Sequence, residues 1–157
     1  MFSSIKLTIR YILFISLFGI FLSASEIDIA ARIIDKTVTS LFPKNSKVKT
    51  WANQKYHIDI ILNSRKMSFA TYIKDASFYL VGSSIPNYFP KDAIIFTTDI
   101  NLFYKDKRII GAFYWQKGRP NLMFLQSRLD KYNLSLSNEF KDYIEDEEWS
   151  LKREIYL

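Results

Sequence analysis

Cysteine is absent from the 157 residues, histidine occurs once, and glycine and proline occur four times each. The missing thiols exclude cysteine nucleophiles, CxxC redox chemistry, cysteine-bound zinc and every disulfide, so packing alone must hold the fold. A single imidazole, His57, is too little for a histidine-type metal site. A Ser–His–Asp set built on it would need distant partners that no motif marks, and no G-x-S-x-G elbow occurs. His57 is expected as a partly exposed residue near a helix start. Outside the N-terminal run the glycines are Gly82, Gly111 and Gly118, too scattered for a phosphate loop or a dinucleotide fingerprint. No cofactor is implied.

Long apolar runs are also missing. The longest, Tyr11–Leu22, has 12 residues, against the roughly 20 that a membrane-spanning helix requires. Lys6 and Arg10 precede it and Ser23-Ala24-Ser25 follows it, the order of a secretory signal with a small-residue cleavage site. Residues 1–25 are therefore expected to be a Sec-type signal peptide cleaved after Ser25, which sends the remaining 132 residues to the periplasm. That length suits one domain with one hydrophobic core.

Aromatic residues, in contrast, are plentiful at 17%. Burial of each large apolar side chain is worth about 1.5–3 kcal/mol, so the mature part is expected to be an ordered globule. Charge is uneven. Residues 26–131 hold 17 Lys/Arg against 9 Asp/Glu, and residues 132–157 hold 3 against 7. A basic body raises nucleic acid as a partner, but export sets that aside. An anionic ligand, an acidic protein face or a membrane surface touched from one side remains, beside the plainer reading of scattered solvated lysines.

Hydrophobic spacing predicts a helix over Ile27–Phe42 that Pro43 stops, a strand at Val48–Trp51, a helix over Tyr56–Leu62 and a strand at Met67–Ala70. The continuous apolar runs Ser77–Val81 and Ala93–Thr97 suit central strands buried on both faces. Asp99 is placed to cap a helix over Ile100–Tyr104. Ile109–Trp115 and Asn121–Leu125 flank the loop Gln116–Pro120 as a β-hairpin. A short helix over Ser127–Tyr132 should end with Asn133 in the left-handed region. Ser137 should cap a last helix reaching Glu148, with residues 149–157 a loosely ordered tail. The carboxylates of Glu145–Glu148 point different ways on such a helix and read as its solvated end rather than a cation site. Asn133-Leu134-Ser135 matches the glycosylation triplet, a pattern that chance often supplies. The element order predicts a single three-layer, Rossmann-like α/β domain with a mixed sheet, closed by a C-terminal hairpin and helices.

The hairpin tip is the candidate binding site. Trp115, Lys117 and Arg119 combine a broad aromatic surface, a point charge and a planar fork suited to carboxylate or phosphate. Tryptophan and arginine are also enriched among residues that dominate protein interfaces. A packed tryptophan beside an ordinary basic turn is the competing explanation.

Several segments resemble the YfiR-like family of periplasmic proteins. They are Ile109-Ile110-Gly111 with its hairpin, and then Asn121–Ile144, within which Asn133-Leu134, Leu136-Ser137, Phe140 and Ile144 stand at the family's motif positions. Upstream, Ala30–Pro43 is similar to the opening helix and Ser77–Ser84 to the mid-domain strand. The family's paired cysteines are missing, and Leu125 stands where it carries asparagine. The resemblance implies a Rossmann-like fold and binding to the periplasmic domain of an inner-membrane diguanylate cyclase, which is held inactive. The leading expectation is thus a non-enzymatic periplasmic regulator of a membrane signalling protein. A small solute-binding protein that grips an anion through Lys117 and Arg119 is the rival, and an enzyme using His57 is the third class.

Overall fold

The computed structural model describes residues 25–147. The expected signal peptide, apart from Ser25, and the expected C-terminal tail lie outside the described residues.

The first helix, α1 (Glu26–Leu41), forms because Ala30, Ile34, Val38 and Leu41 make one buried stripe. Ser25 opens it with a reciprocal cap: its hydroxyl accepts from the Asp28 N–H at 3.2 Å while the Asp28 carboxylate accepts from the Ser25 N–H at 3.2 Å. Cleavage after Ser25 would remove that cap, since Ser25 is its donor and its acceptor. The helix ends at Phe42, before Pro43.

Then follow β1 (Val48–Trp51), α2 (Lys55–Asn63), β2 (Met67–Phe69), a 3-10 turn at Ile73–Asp75, β3 (Phe78–Val81), β4 (Ile95–Thr97) and α3 (Ile100–Lys105). The chain continues through β5 (Ile109–Gln116), β6 (Arg119–Leu125), α4 (Gln126–Lys131), a second 3-10 segment at Asn138–Tyr143 and β7 (Ile144–Glu145). The strands form one sheet in the order β2-β1-β3-β4-β5-β6-β7. The first five run parallel, β5 and β6 are antiparallel, and β7 lies parallel to β6. The chain is thus a three-layer α/β domain with a mixed sheet, as the pattern of elements predicts.

Strand alternation splits the core into two halves. Phe78, Leu80 and Phe96 pack with α1 and α2 on one face, together with Leu129 and Phe140. Tyr79, Val81 and Ile95 pack with Phe103 of α3 on the other. There the long connection between β3 and β4 does the work of a helix. Its Phe89 sits edge-on to Trp51, with ring centroids 5.2 Å apart, and 4.8 Å from Tyr79. Asp35 fastens α1 to the α2–β2 turn by accepting from the Ser64 hydroxyl and from the N–H groups of Arg65 (2.8 Å) and Lys66 (3.3 Å).

Two features set the hairpin. Ile95 pairs with Ile109 but Phe96 pairs with Gly111, so Ile110 is an extra residue, a bulge that restarts the alternation of β5. Gly111 then lies opposite Phe124, whose ring occupies the space a side chain would need: a Cβ at 111 would stand 2.4 Å from its Cδ1. Below the hairpin, buried Arg128 of α4 donates through Nη1 to the carbonyls of Phe103 (2.8 Å), Asp106 (3.1 Å) and Ile109 (2.9 Å). Its guanidinium also lies 4.7 Å from the centre of the Phe103 ring. Burial lowers its pKa, and the carboxylates of Glu147 and Asp106 act the other way.

Three expectations need correction. The loop Gln116–Pro120 shrinks to Lys117-Gly118, because Gln116 pairs with Arg119 and Trp115 with Pro120. Both turn residues have positive φ, 52° and 72°, the two-residue geometry that matches strand twist. The last helix, expected from Ser137 to Glu148, is instead a 3-10 segment followed by a strand. Asn138, Asp142 and Tyr143 are poor helix formers, and Ile144 finds a ladder partner in Phe124. Its predicted final residue lies outside the described ones. His57, expected near the surface, is 1% exposed. Asp99 and Asn133 do behave as expected: Asp99 accepts from the N–H groups of Asn101 and Leu102, and Asn133 has φ of 50°.

Two substitutions test this arrangement. Arg128→Met leaves three main-chain carbonyls without their cation and should lower stability by about 3 kcal/mol in a urea melt. Gly111→Ala should cost about 2 kcal/mol from overpacking, and most of that penalty should vanish in a Phe124→Leu background, measured as a double-mutant cycle.

Candidate functional site

The parallel half of the sheet has the strand order 2-1-3-4-5 of doubly wound domains, which bind ligands beyond the carboxyl ends of the strands where the order reverses, here between β1 and β3. In this chain the crevice is occupied by its own side chains. The Gln54 amide lies across Gly82, its Oε1 2.1 Å from the place of a Cβ there. His57, in the first turn of α2, has its Nε2 2.7 Å from the Thr98 hydroxyl beyond β4. Thr97 Oγ1 donates toward the carbonyls of Val81 (3.0 Å) and Gly82 (3.3 Å) and accepts from the Asp99 N–H, lacing β3 to β4. Among the described residues no three acidic or imidazole groups gather closely enough to hold a metal ion.

The His57 ring is enclosed, and its Nδ1 meets no partner among the described residues. Burial pulls its pKa from 6.5 down to about 4. The neutral form is the folded one, which sets the sign of a pH effect. Above pH 6.5 the ring is neutral in both states and costs nothing. Between 6.5 and 4 the unfolded chain takes a proton that the folded chain refuses, so stability falls with pH.

The hairpin has the opposite character. β5 pairs with β4 only as far as Ala112, and β6 pairs with β7 only at Phe124 and Leu125. From Phe113 to Leu122 the two strands therefore have each other and no further strand among the described residues, forming an arm that overhangs the sheet. Its turn has two residues, Lys117 and Gly118, and its strands pair up to them. It is also of one charge sign: no Asp or Glu occurs between Asp106 and Asp130.

Antiparallel pairing fixes where the predicted site residues point. Trp115 and Leu122 belong with the α1 side of the core, and Tyr114 and Met123 with the α3 side. Continued alternation places Trp115 and its partner Pro120 on the α1 side, and Gln116, Arg119 and Asn121 on the α3 side. The structure thus brings Lys117 and Arg119 together, with Gln116 and Asn121, around a shallow recess of about 490 Å³. Trp115 stands apart from them across the sheet. It is half-buried and meets Phe113 edge to face at 5.8 Å, and its indole N–H has no acceptor among the described residues. Lys117 and Arg119 are exposed, and neither forms an ion pair with a described carboxylate.

Sequence reasoning did not find Gln54, Thr98 or Arg128. Gln54 and Thr98 act through contacts between loops far apart in the chain. Arg128 had a usable signal, since a cation one turn from an apolar helix position that also follows a buried strand has little route to solvent.

The fold and this site define a doubly wound α/β domain with a filled ligand crevice and a projecting cationic arm. Comparison of the chain with models of protein families, with curated proteins and with solved structures finds no match.

The buried imidazole gives the prediction for this site. Lowering the pH from 7 to 4.5 should cost about 2 kcal/mol through His57 alone. Urea melts of His57→Gln should show a correspondingly flatter pH dependence over that interval.

Proposed function

We propose that this chain is an exported, non-enzymatic regulator that docks on an inner-membrane signalling protein such as a diguanylate cyclase. The observation that carries the reading is the overhanging hairpin, an arm with Lys117 and Arg119 exposed at its tip. The Gln54 side chain over Gly82 supports it, because a crevice filled from within leaves recognition to the surface. The resemblance to YfiR-like proteins points the same way and suggests the class of partner. On this reading the leader directs the domain to the periplasm and is removed by cleavage after Ser25. N-terminal sequencing of the protein from a periplasmic fraction checks that step.

The docking itself is tested with a photo-cross-linking residue at position 117 in cells of the source organism. The expected product is an adduct with an integral-membrane signalling protein. In the Lys117→Glu/Arg119→Glu background it should fall about ten-fold, as loss of complementary rim charge slows encounter. An adduct pattern free of membrane proteins, or one indifferent to the charge reversal, overturns the proposal.

The recess between Gln116, Lys117, Arg119 and Asn121 favours a second reading, a small solute-binding protein for an anion. Thermal unfolding against a panel of inorganic and organic anions separates the two. A saturable rise of several degrees, lost in Arg119→Gln, belongs to solute binding.

A further inference from the structure

The two edges of the overhanging arm are not equivalent. In a hairpin closed by a two-residue turn, the residues beside the turn exchange both main-chain hydrogen bonds, and the next pair exchanges none. Here the first pair is Gln116 with Arg119 and the next is Trp115 with Pro120. The main-chain groups of Trp115 and Pro120 therefore point outward, away from the opposite strand. Proline suits that position, since it has no N–H to offer the ladder. On the β6 side the outward position nearest the turn thus lacks a donor, and the edge is blunted there. On the β5 side Trp115 presents an N–H and a C=O past the last residue that β4 pairs, and it makes no main-chain hydrogen bond outside the hairpin to any described residue.

We infer that the β5 edge at Trp115 accepts an extended acidic segment of a protein partner as an added strand. This rests on the docking role proposed above and specifies how the contact is made. Main-chain pairing at Trp115 supplies the register, as in other cases where a peptide extends a sheet. Charge selects the occupant: Lys117 and Arg119 flank the edge, and no carboxylate lies on the arm to neutralise them. Two arms meeting edge to edge would bring like charges together, and the occupant we assign is an acidic segment of a different chain.

Selection of displayed random dodecapeptides on the full mature protein tests the inference. The peptides recovered should be rich in Asp and Glu and free of proline at alternate positions. Synthetic versions should lose binding about ten-fold or more when alternate backbone nitrogens are N-methylated, and keep it when the intervening ones are, the signature of strand addition. Trp115→Pro should abolish binding while Trp115→Phe retains it, with circular dichroism confirming that both variants fold. If Trp115→Pro does not fold, the N-methylation series and Lys117→Glu/Arg119→Glu, a change confined to exposed side chains, still decide.

Recovery of no peptide, of basic or helical peptides, or of peptides indifferent to N-methylation overturns the inference. So does a concentration-dependent dimer in sedimentation that Trp115→Pro dissolves. The two proposals fail separately. Acidic peptides that bind this edge without any membrane adduct from position 117 sink the receptor and keep the strand addition. A membrane adduct that survives Trp115→Pro sinks the strand addition and keeps the receptor.

Discussion

A buried guanidinium ties the two unlike halves of this molecule together. Arg128 reaches back from α4 to the last turn of α3 and the first residue of β5, where three carbonyls converge on one nitrogen. A helix C-terminus carries partial negative charge and unpaired carbonyls, so a cation placed there satisfies both at once. The carboxylate of Asp106, in the same turn, is held on Arg108, with contacts of 2.6–3.2 Å. That pairing holds Asp106 below the usual carboxylate range. The base of the hairpin is thereby clamped from below while the bulge at Ile110 and the seating of Phe124 on Gly111 clamp it from within the sheet. An arm that overhangs its neighbours keeps one direction only if its root cannot pivot.

Much of the fold was legible in the chain because burial has a period. The 3.6-residue stripe of α1 and the apolar runs of β3 and β4 can be read directly, and they led to the correct layers. The left-handed Asn133 and the Asp99 cap were legible for a similar reason, since each is a local conformational preference. The segment after Ser137 was not. Phe140 and Ile144 are four residues apart, a spacing that an amphipathic helix and a 3-10 turn followed by a strand both accept. The choice was made by Phe124 and Leu125, whose ladder groups needed a partner.

The candidate site was half legible. Composition brought Trp115, Lys117 and Arg119 to notice as a cluster, but three residues close in sequence need not share a face. Strand geometry puts successive side chains on opposite sides of the sheet, so the aromatic and the guanidinium part company. What the sequence concealed was the overhang itself. It follows from where β4 and β7 stop, and strand ends are set by pairing partners rather than by the residues of the hairpin. His57 shows the same limit from another direction. Its position in a helical first turn was read well, yet its enclosure depends on Thr98, 41 residues further along the chain.

Pro120 has a consequence for what the molecule avoids. A free ribbon end with donors on both margins is divalent, and divalent units can be threaded into stacks without limit. With no N–H at the outward position nearest the turn, one margin of this ribbon is a poorer template for a further strand there than the other. The arm is left lopsided, so a strand that joins it at the tip is favoured on one margin over the other.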